Sequence, residues 1–367
     1  MKAIGLVPGT KIVNLLEKPE PYIKDADEVK LRVLEVGICG TDREEVSGGR
    51  SEAPAGEKEL IIGHEMMGQV VEVGKAVKSV KPGDLAIFTV RRGCGECASC
   101  DADMPDMCYS GKYKERGIKA LHGFQSQFVV DKEKYVIKLS DCMKSYGVLS
   151  EPMSIVQKGI DQLYLVQNAR LPDWKDPNNF QGKRAIVAGL GPVGLLTAIA
   201  LRLRGAEVLG FDIVEENTSR PKVLQEMGGI YVYGKKVASK EISAKYGRVD
   251  MIVEAAGIPS LDFELLEDLG TNGVYVFLGV ARGNLPISVD GGTLMKNLVL
   301  NNQVLVGSVN AGRKHWEKGI EDLEKAGKKW PGVLEKIITR RVLFDHFDEV
   351  LIKHTPDEIK SVVSWAS

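Results

Sequence analysis

An excess of charge of either sign is missing from this sequence. Its 367 residues carry 49 Lys and Arg against 50 Asp and Glu, a formal net charge of −1. A chain so balanced has no electrostatic footprint for nucleic acid or an anionic membrane, so a small-molecule ligand is expected. Long apolar runs are missing as well. The most apolar stretch, Ala185 to Leu201, falls short of the roughly 20 residues of a membrane span. It is also broken by Gly189, Gly191, Pro192 and Gly194, and reads as a strand, a turn and a buried helix. The first ten residues lack the apolar core of a signal peptide and begin like a strand, so a cytoplasmic location is expected. There is no internal repeat and no low-complexity tract. The 44% hydrophobic and 27% charged residues suit a globular chain rather than a disordered one. The length suggests two domains or one unusually large one.

Six cysteines are present, and four of them, Cys94, Cys97, Cys100 and Cys108, fall within fifteen residues. In a long chain without a signal peptide they should be reduced. Such crowding suits metal better than disulfides, whose geometry close neighbours rarely meet in every pair. Four thiolates in one loop can enclose a tetrahedral zinc and leave no position for substrate, so this site should be structural. Cys142 reads as a half-buried thiol. His315, His346 and His354 lie in charged helical contexts and are expected in solvent.

Two halves of different character follow. Up to about residue 150 the chain reads as short strands and loops. Val29 to Val36 alternates as a strand does, Ser47 to Glu59 is a surface loop, and Val70 to Val80 with the following Lys81-Pro82-Gly83-Asp84 suggests two strands and a turn. Ala169 to Gly182 is a loop. From Lys183 apolar strands alternate with helices: Ala185 to Ala188, Glu207 to Phe211, Met251 to Ala255 and Val274 to Leu278 are the strand candidates. Near-continuous apolar strands belong to a parallel sheet covered on both faces. A Glu- and Lys-rich helix begins near Gly312.

Gly189-Leu190-Gly191-Pro192-Val193-Gly194 matches G-x-G-x-x-G between a strand and a helix. Gly189 allows the tight turn, Gly191 lets backbone approach a pyrophosphate, and Gly194 lets helix pack on strand. The helix N-terminus then receives the phosphates. Asp212 ends the next strand, eighteen residues past Gly194. A carboxylate there accepts from both ribose hydroxyls and repels a 2′-phosphate, and Ile213 and Val214 offer no guanidinium in its place. NAD is therefore expected over NADP.

Cys39, in Ile38-Cys39-Gly40-Thr41-Asp42-Arg43, His64 and Glu65, after Gly63, and Glu151, before Pro152, complete a recognisable set with the cysteine lobe. The chain resembles the zinc-containing medium-chain dehydrogenases over nearly its whole length. Ile38 to Arg43, Arg91-Arg92-Gly93-Cys94-Gly95 and the closing Asp357-Glu358-Ile359-Lys360 are most similar to the archaeal-type glucose 1-dehydrogenase branch. The resemblance implies an α/β fold with two parts. A mostly β GroES-like catalytic domain takes residues 1–152 and 311–367, with the zinc lobe at about 92–110. A Rossmann-type, doubly wound NAD-binding domain takes 153–310. It implies two zinc ions per subunit and a homodimer or homotetramer. Cys39, His64 and Glu65 match the catalytic-zinc positions, and Glu151 matches a direct or water-mediated ligand. Asp42 matches the acid that orients the histidine, and Thr41 a proton-passing hydroxyl. Gly279, Val280 and Asn310 join the coenzyme contacts.

The same resemblance puts Glu115 and Asn310, with Thr41 and Glu151, against a sugar. Two other positions differ: Val90 and Ile155 stand where the branch has polar or acidic residues. A sugar hydroxyl buried without a partner costs about 1–3 kcal/mol. Two substrates stay open, an aldose oxidised at C1 to its lactone and a polyol or secondary alcohol, as in sorbitol and threonine dehydrogenases. A zinc-bearing NAD-binding sensor without turnover is a third reading, and the complete Cys39, His64, Glu65 and Glu151 set argues against it.

Overall fold

A computed structural model describes residues 1–281, 286–353 and 355–366, so His354 lies outside the described residues. The chain divides into two compact units. Unit 1 holds Met1–Glu151, Asn310–Ile320 and Ile338–Ser367, and unit 2 holds Pro152–Val309 and Glu321–Ile337. Among the described residues no helix is long and apolar enough to cross a membrane.

Unit 1 is mostly β. Its largest sheet runs Val136–Lys138, Leu85–Phe88, Glu65–Val73, Glu28–Ile38, Lys360–Ser364, Ile338–Leu343, with Phe128–Lys132 also paired to Glu28–Ile38. Glu28–Ile38 is therefore the hub, and both strands that flank its far end matter below. Glu65–Val73 is antiparallel to it with Gly37 opposite Glu65, and Lys360–Ser364 is antiparallel with Ser361 opposite Ile38.

Unit 2 carries a six-stranded parallel sheet. Its strands are β1 (Arg184–Ala188), β2 (Glu207–Asp212), β3 (Ile230–Tyr233), β4 (Val249–Glu254), β5 (Leu269–Phe277) and β6 (Val304–Gly307), in the order β3-β2-β1-β4-β5-β6. The order reverses between β1 and β4, and the crevice outside the carboxyl ends at such a reversal is where this sheet type takes ligands. β1 and β4 are buried nearly throughout, which is why they read from sequence as apolar runs. β3 and β6 escaped that reading, because each has four residues, some of them exposed.

Two stretches differ from expectation. Ser150–Arg170 is a 21-residue helix whose first half is almost wholly buried. Its polar Ser154, Gln157 and Lys158 are buried too, so no amphipathic stripe marks it in the sequence. The tail is divided: Glu321–Ile337 packs with unit 2 instead of the first unit. Buried Asp322 accepts from Arg204 at 2.6 Å and from Gln157 at 2.9 Å, and Lys336 pairs with Glu226. Those polar partners are invisible to periodicity.

Candidate active site

Two groups of metal-ligating side chains converge among the described residues. In the first, the sulfurs of Cys94, Cys97, Cys100 and Cys108 lie within 4.8 Å of one another. Cys94 and Cys100 are 3.8 Å apart, and Cys97 and Cys108 3.9 Å. A zinc–thiolate bond of about 2.3 Å puts tetrahedral sulfurs about 3.8 Å apart, so the donor set fits zinc. The loop is shaped for this approach. Gly93 has no room for a Cβ, which would stand 2.5 Å from the Cys100 sulfur, and the Glu96 N–H donates to Cys94 at 3.5 Å. Ser110 beside Cys108 draws that thiol down to about 6. Behind the lobe, Arg92 and Arg116 converge on Asp131, and the Arg92 guanidinium stacks 3.6 Å over Tyr135.

In the second group the Cys39 sulfur, a His64 nitrogen and a Glu65 oxygen lie within 4.8 Å of one another. Cys39 follows the end of Glu28–Ile38 and caps the helix Gly40–Val46, where its N–H donates to Asp42 at 2.7 Å. His64 follows Gly63, which turns at φ 86°, and Glu65 opens the next strand. Gly37 across the ladder is required here, since a Cβ on it would stand 2.1 Å from the Glu65 carboxylate. His64 Nδ1 faces Asp42 Oδ1 at 3.4 Å, which leaves the other ring nitrogen for a metal. Burial pushes Asp42 up, but the facing imidazole and the Cys39 amide outweigh it and hold the carboxyl low. Burial pushes His64 down, and Asp42 more than reverses it. Thr41 sits on the same helical turn as Asp42.

Glu151 stands in the first turn of Ser150–Arg170, 8% exposed. Burial raises its carboxyl to about 7 against the pull of His64. It is not among the three side chains whose ligand atoms converge. Glu115 and Asn310, 195 positions apart, do come together: Asn310 donates to Glu115 at 2.7 Å, and Arg91 donates to the same oxygen through Nε and Nη2 at 3.1 and 2.9 Å. Val90 beside them is buried at 3% exposure.

In unit 2 the three glycines of the turn do different work. A Cβ on Gly194 would stand 1.7 Å from the Gly189 carbonyl, and one on Gly189 would meet Ala256 at 2.8 Å, while Gly191 has open space beside it. Gly191 caps the helix Pro192–Leu203, which contains Val193 in its first turn. Asp212 accepts from the backbone N–H of Leu190 at 2.8 Å and of Ile213 at 2.7 Å. Gly279 follows β5 and donates to the Glu254 carbonyl at 3.1 Å, and Val280 is 60% exposed.

Comparison with known proteins decides the family. A model described as "Glucose dehydrogenase C-terminus" matches residues 144–365, and one described as "Alcohol dehydrogenase GroES-like domain" matches 25–141. The chain belongs to the glucose dehydrogenase branch of the zinc-dependent medium-chain dehydrogenases. It is 37% identical to the glucose 1-dehydrogenase of Methanocella arvoryzae, with 99% of both chains covered. It is 38% identical to glucose 1-dehydrogenase 2 of Vulcanisaeta moutnovskia, again over 99% of both. The solved structure of Haloferax mediterranei glucose dehydrogenase in complex with NADP, Zn and gluconolactone matches it with a TM-score of 0.88 at 30% identity, over the full length of both.

Several residues of this dehydrogenase escaped the sequence. Lys360 is 2% exposed and grips Glu65 through both oxygens, at 2.7 and 2.6 Å, with a third bond to the Ile38 carbonyl. Its only sequence signal is the closing Asp357-Glu358-Ile359-Lys360. Glu358 pairs with Arg43. Glu45 is fully buried, and burial together with Asp42 pushes its carboxyl up to about 9. Arg220 brings a guanidinium to 3.4 Å from Asp212, one that Ile213 and Val214 do not offer and that the local sequence does not disclose. It comes from the next helix, eight residues on, where only folding reveals it. His315 is buried at 6% exposure and accepts from the Gly312 N–H, against the expectation of solvent, whereas the His346 side chain is 61% exposed. Cys142 is exposed rather than half-buried.

Proposed function

We propose that this dehydrogenase oxidises an aldose of the glucose or galactose type at C1 to its aldonolactone, with hydride passing to a nicotinamide dinucleotide. The carrying observation is the convergence of Cys39, His64 and Glu65 within 4.8 Å in a chain 37% identical to a glucose 1-dehydrogenase. Glu115, held by Arg91 and Asn310, presents a carboxylate suited to sugar hydroxyls. Bound at Cys39, His64 and Glu65, zinc supplies a Lewis acid for the substrate hydroxyl, and the dinucleotide supplies the hydride acceptor. The chain's own groups do the rest. Asp42 fixes the orientation of His64. Lys360 holds Glu65 and compensates its buried charge. Glu151, raised to about 7, takes up the hydroxyl proton, relayed through Thr41.

A second zinc at Cys94, Cys97, Cys100 and Cys108 is structural in this reading, giving two ions per subunit. The coenzyme is NAD by preference, because Asp212 accepts from the ribose hydroxyls; Arg220 offsets part of its charge, which leaves NADP usable. Gly189, Gly191, Pro192, Val193, Gly194, Gly279 and Val280 line its path, and Asn310 serves coenzyme and sugar. A second copy of the chain docks on the apolar edge at β6, where Leu305 is 40% exposed, and on the helix Gly291–Leu300, where Met295, Val299 and Leu300 are 61, 71 and 67% exposed. We read the compartment as cytoplasmic, with all six cysteines as free thiols or metal ligands.

Buried Val90 and half-buried Ile155 favour a second substrate class, a polyol or secondary alcohol. One assay decides: zinc-loaded protein with NAD or NADP and a panel of aldoses and polyols, followed by reduced-coenzyme absorbance. Turnover of polyols with none of aldoses overturns the first reading.

A further inference from the structure

One buried residue ties together the two turns that leave β4 and β5, the first through its side chain and the second through its carbonyl, and no role above uses it. Glu254, the last residue of β4, has no exposed surface. Its Oε1 accepts from the backbone N–H groups of Ala256 and Gly257, at 2.5 Å each. Its own carbonyl oxygen accepts from Leu278 at 2.9 Å and Gly279 at 3.1 Å. A single residue thus gathers four N–H groups from two separate turns. Burial pushes its carboxyl up, and the surrounding N–H groups of Gly257, Ala256, Gly279 and Ile258 pull the other way.

Sterics lock the same turns. A Cβ on Gly279 would stand 2.4 Å from the Gly257 nitrogen and 2.5 Å from Glu254 Oε2. A Cβ on Gly257, whose φ is 66°, would stand 2.7 Å from the Val280 carbonyl. On the other side Ala256 fills the space that a Cβ on Gly189 would need. Contact therefore runs from the phosphate turn at Gly189, through Ala256 and Glu254, to Gly279 and Val280. Both ends of that chain are coenzyme positions in the reading above, and its middle is one carboxylate with no solvent contact.

We propose that Glu254 is a positioning residue for the dinucleotide, setting the distance between the phosphate turn and the Gly279–Val280 turn. The proposal rests on the reading of unit 2 as the coenzyme site. Removing the carboxylate leaves the Ala256 and Gly257 N–H groups without their acceptor and opens the space against Gly279, while the main-chain bonds to Leu278 and Gly279 remain; the turn that packs on Gly189 is freed, and coenzyme binding weakens without touching the metal donors or Glu115.

The test uses zinc-loaded full-length protein and two readouts, fluorescence titration with NADH and NADPH without turnover, and steady-state kinetics. E254A should raise the dissociation constant of the preferred reduced coenzyme by about tenfold or more, the scale of one or two lost hydrogen bonds. The KM for sugar and the zinc content should stay at wild-type values. E254Q keeps a carbonyl acceptor at the same place and should hold affinity within about threefold. G279A, which presses on the carboxylate from the other turn, should reproduce E254A. Should E254A fail to fold, E254D and G279A carry the same comparison. Wild-type affinity in E254A, or equal weakening of sugar and coenzyme, overturns the proposal. A wild-type protein that binds neither NADH nor NADPH overturns the coenzyme reading itself, and this proposal with it.

Discussion

The molecule holds two cysteine-bearing clusters that are opposites in construction. The lobe cluster draws all four donors from one fifteen-residue loop, and two of its four cysteines are only partly buried. The other cluster takes Cys39 from a strand end, His64 from a turn and Glu65 from the next strand, then recruits Lys360 from 295 positions away. The lobe is a set of identical donors that compensate nothing but the ion they surround. The mixed cluster sits in a net of buried charge: Asp42 on His64, Lys360 on Glu65, and Glu45 and Glu151 nearby with raised carboxyls. Closed, uniform donors suit a site that holds shape; mixed donors with proton-carrying neighbours suit a site that turns over.

Substitution of one donor in each cluster tests that division, and the larger effect should fall on the mixed one. H64A should lower kcat/KM by on the order of a thousandfold or more, equivalent to about 4 kcal/mol of transition-state stabilisation. Metal analysis should fall from two ions per subunit to one, with the fold retained. A variant with full activity and one ion would assign the chemistry to the wrong cluster.

Lys360 separates the clusters more sharply, because the mixed site buries its counter-charge on a donor, whereas Lys112, which feels Cys94 in the lobe, stands exposed and pairs with Glu96. K360M leaves the Glu65 carboxylate buried at 1% exposure without its cation, a change that costs about 3–5 kcal/mol in a buried pair. On the proposed reading, a zinc ion held by Glu65 would replace the lost charge. The loss of Tm should therefore be large after chelation and much smaller in the zinc-loaded protein. An equal loss in both states would show that ion and ammonium do not share the carboxylate. The corresponding change in the lobe should be milder for chemistry: C97S should remove the second ion and lower Tm by roughly 5 °C or more, while kcat/KM moves by less than about tenfold.

The same contrast explains what the sequence could disclose. The lobe was legible because its spacing is its geometry, and the glycine turn because each glycine answers a local steric demand: at Gly194 a Cβ would meet the Gly189 carbonyl. β1 and β4 were legible through burial on both faces. The buried helix Ser150–Arg170 was not, since buried Ser154, Gln157 and Lys158 break any apolar period, with Gln157 and Lys158 bonded to Asp322 and the Val309 carbonyl far along the chain. Cys39, His64 and Glu65 were found through resemblance, for no spacing links them. Lys360 shows only in the closing Asp357-Glu358-Ile359-Lys360, with nothing to mark its role, and Glu45, Glu254 and Arg220 have no signal of their own: each matters because of what the fold sets against it.

Arg220 gives the smallest and most discriminating effect. Read locally, the end of β2 is Asp212 followed by Ile213 and Val214, a site that rejects a 2′-phosphate. Folded, it is an acid with a guanidinium at 3.4 Å, and two backbone N–H groups already occupy part of the carboxylate. An ion pair repels an incoming phosphate far less than a bare carboxylate does, and the guanidinium can donate to that phosphate directly. R220A should therefore cost NADP about tenfold in kcat/KM, near 1.4 kcal/mol, and leave NAD within about threefold. Loss of both coenzymes in equal measure would make Arg220 a support for Asp212 alone. The local reading of coenzyme choice would then be sufficient after all.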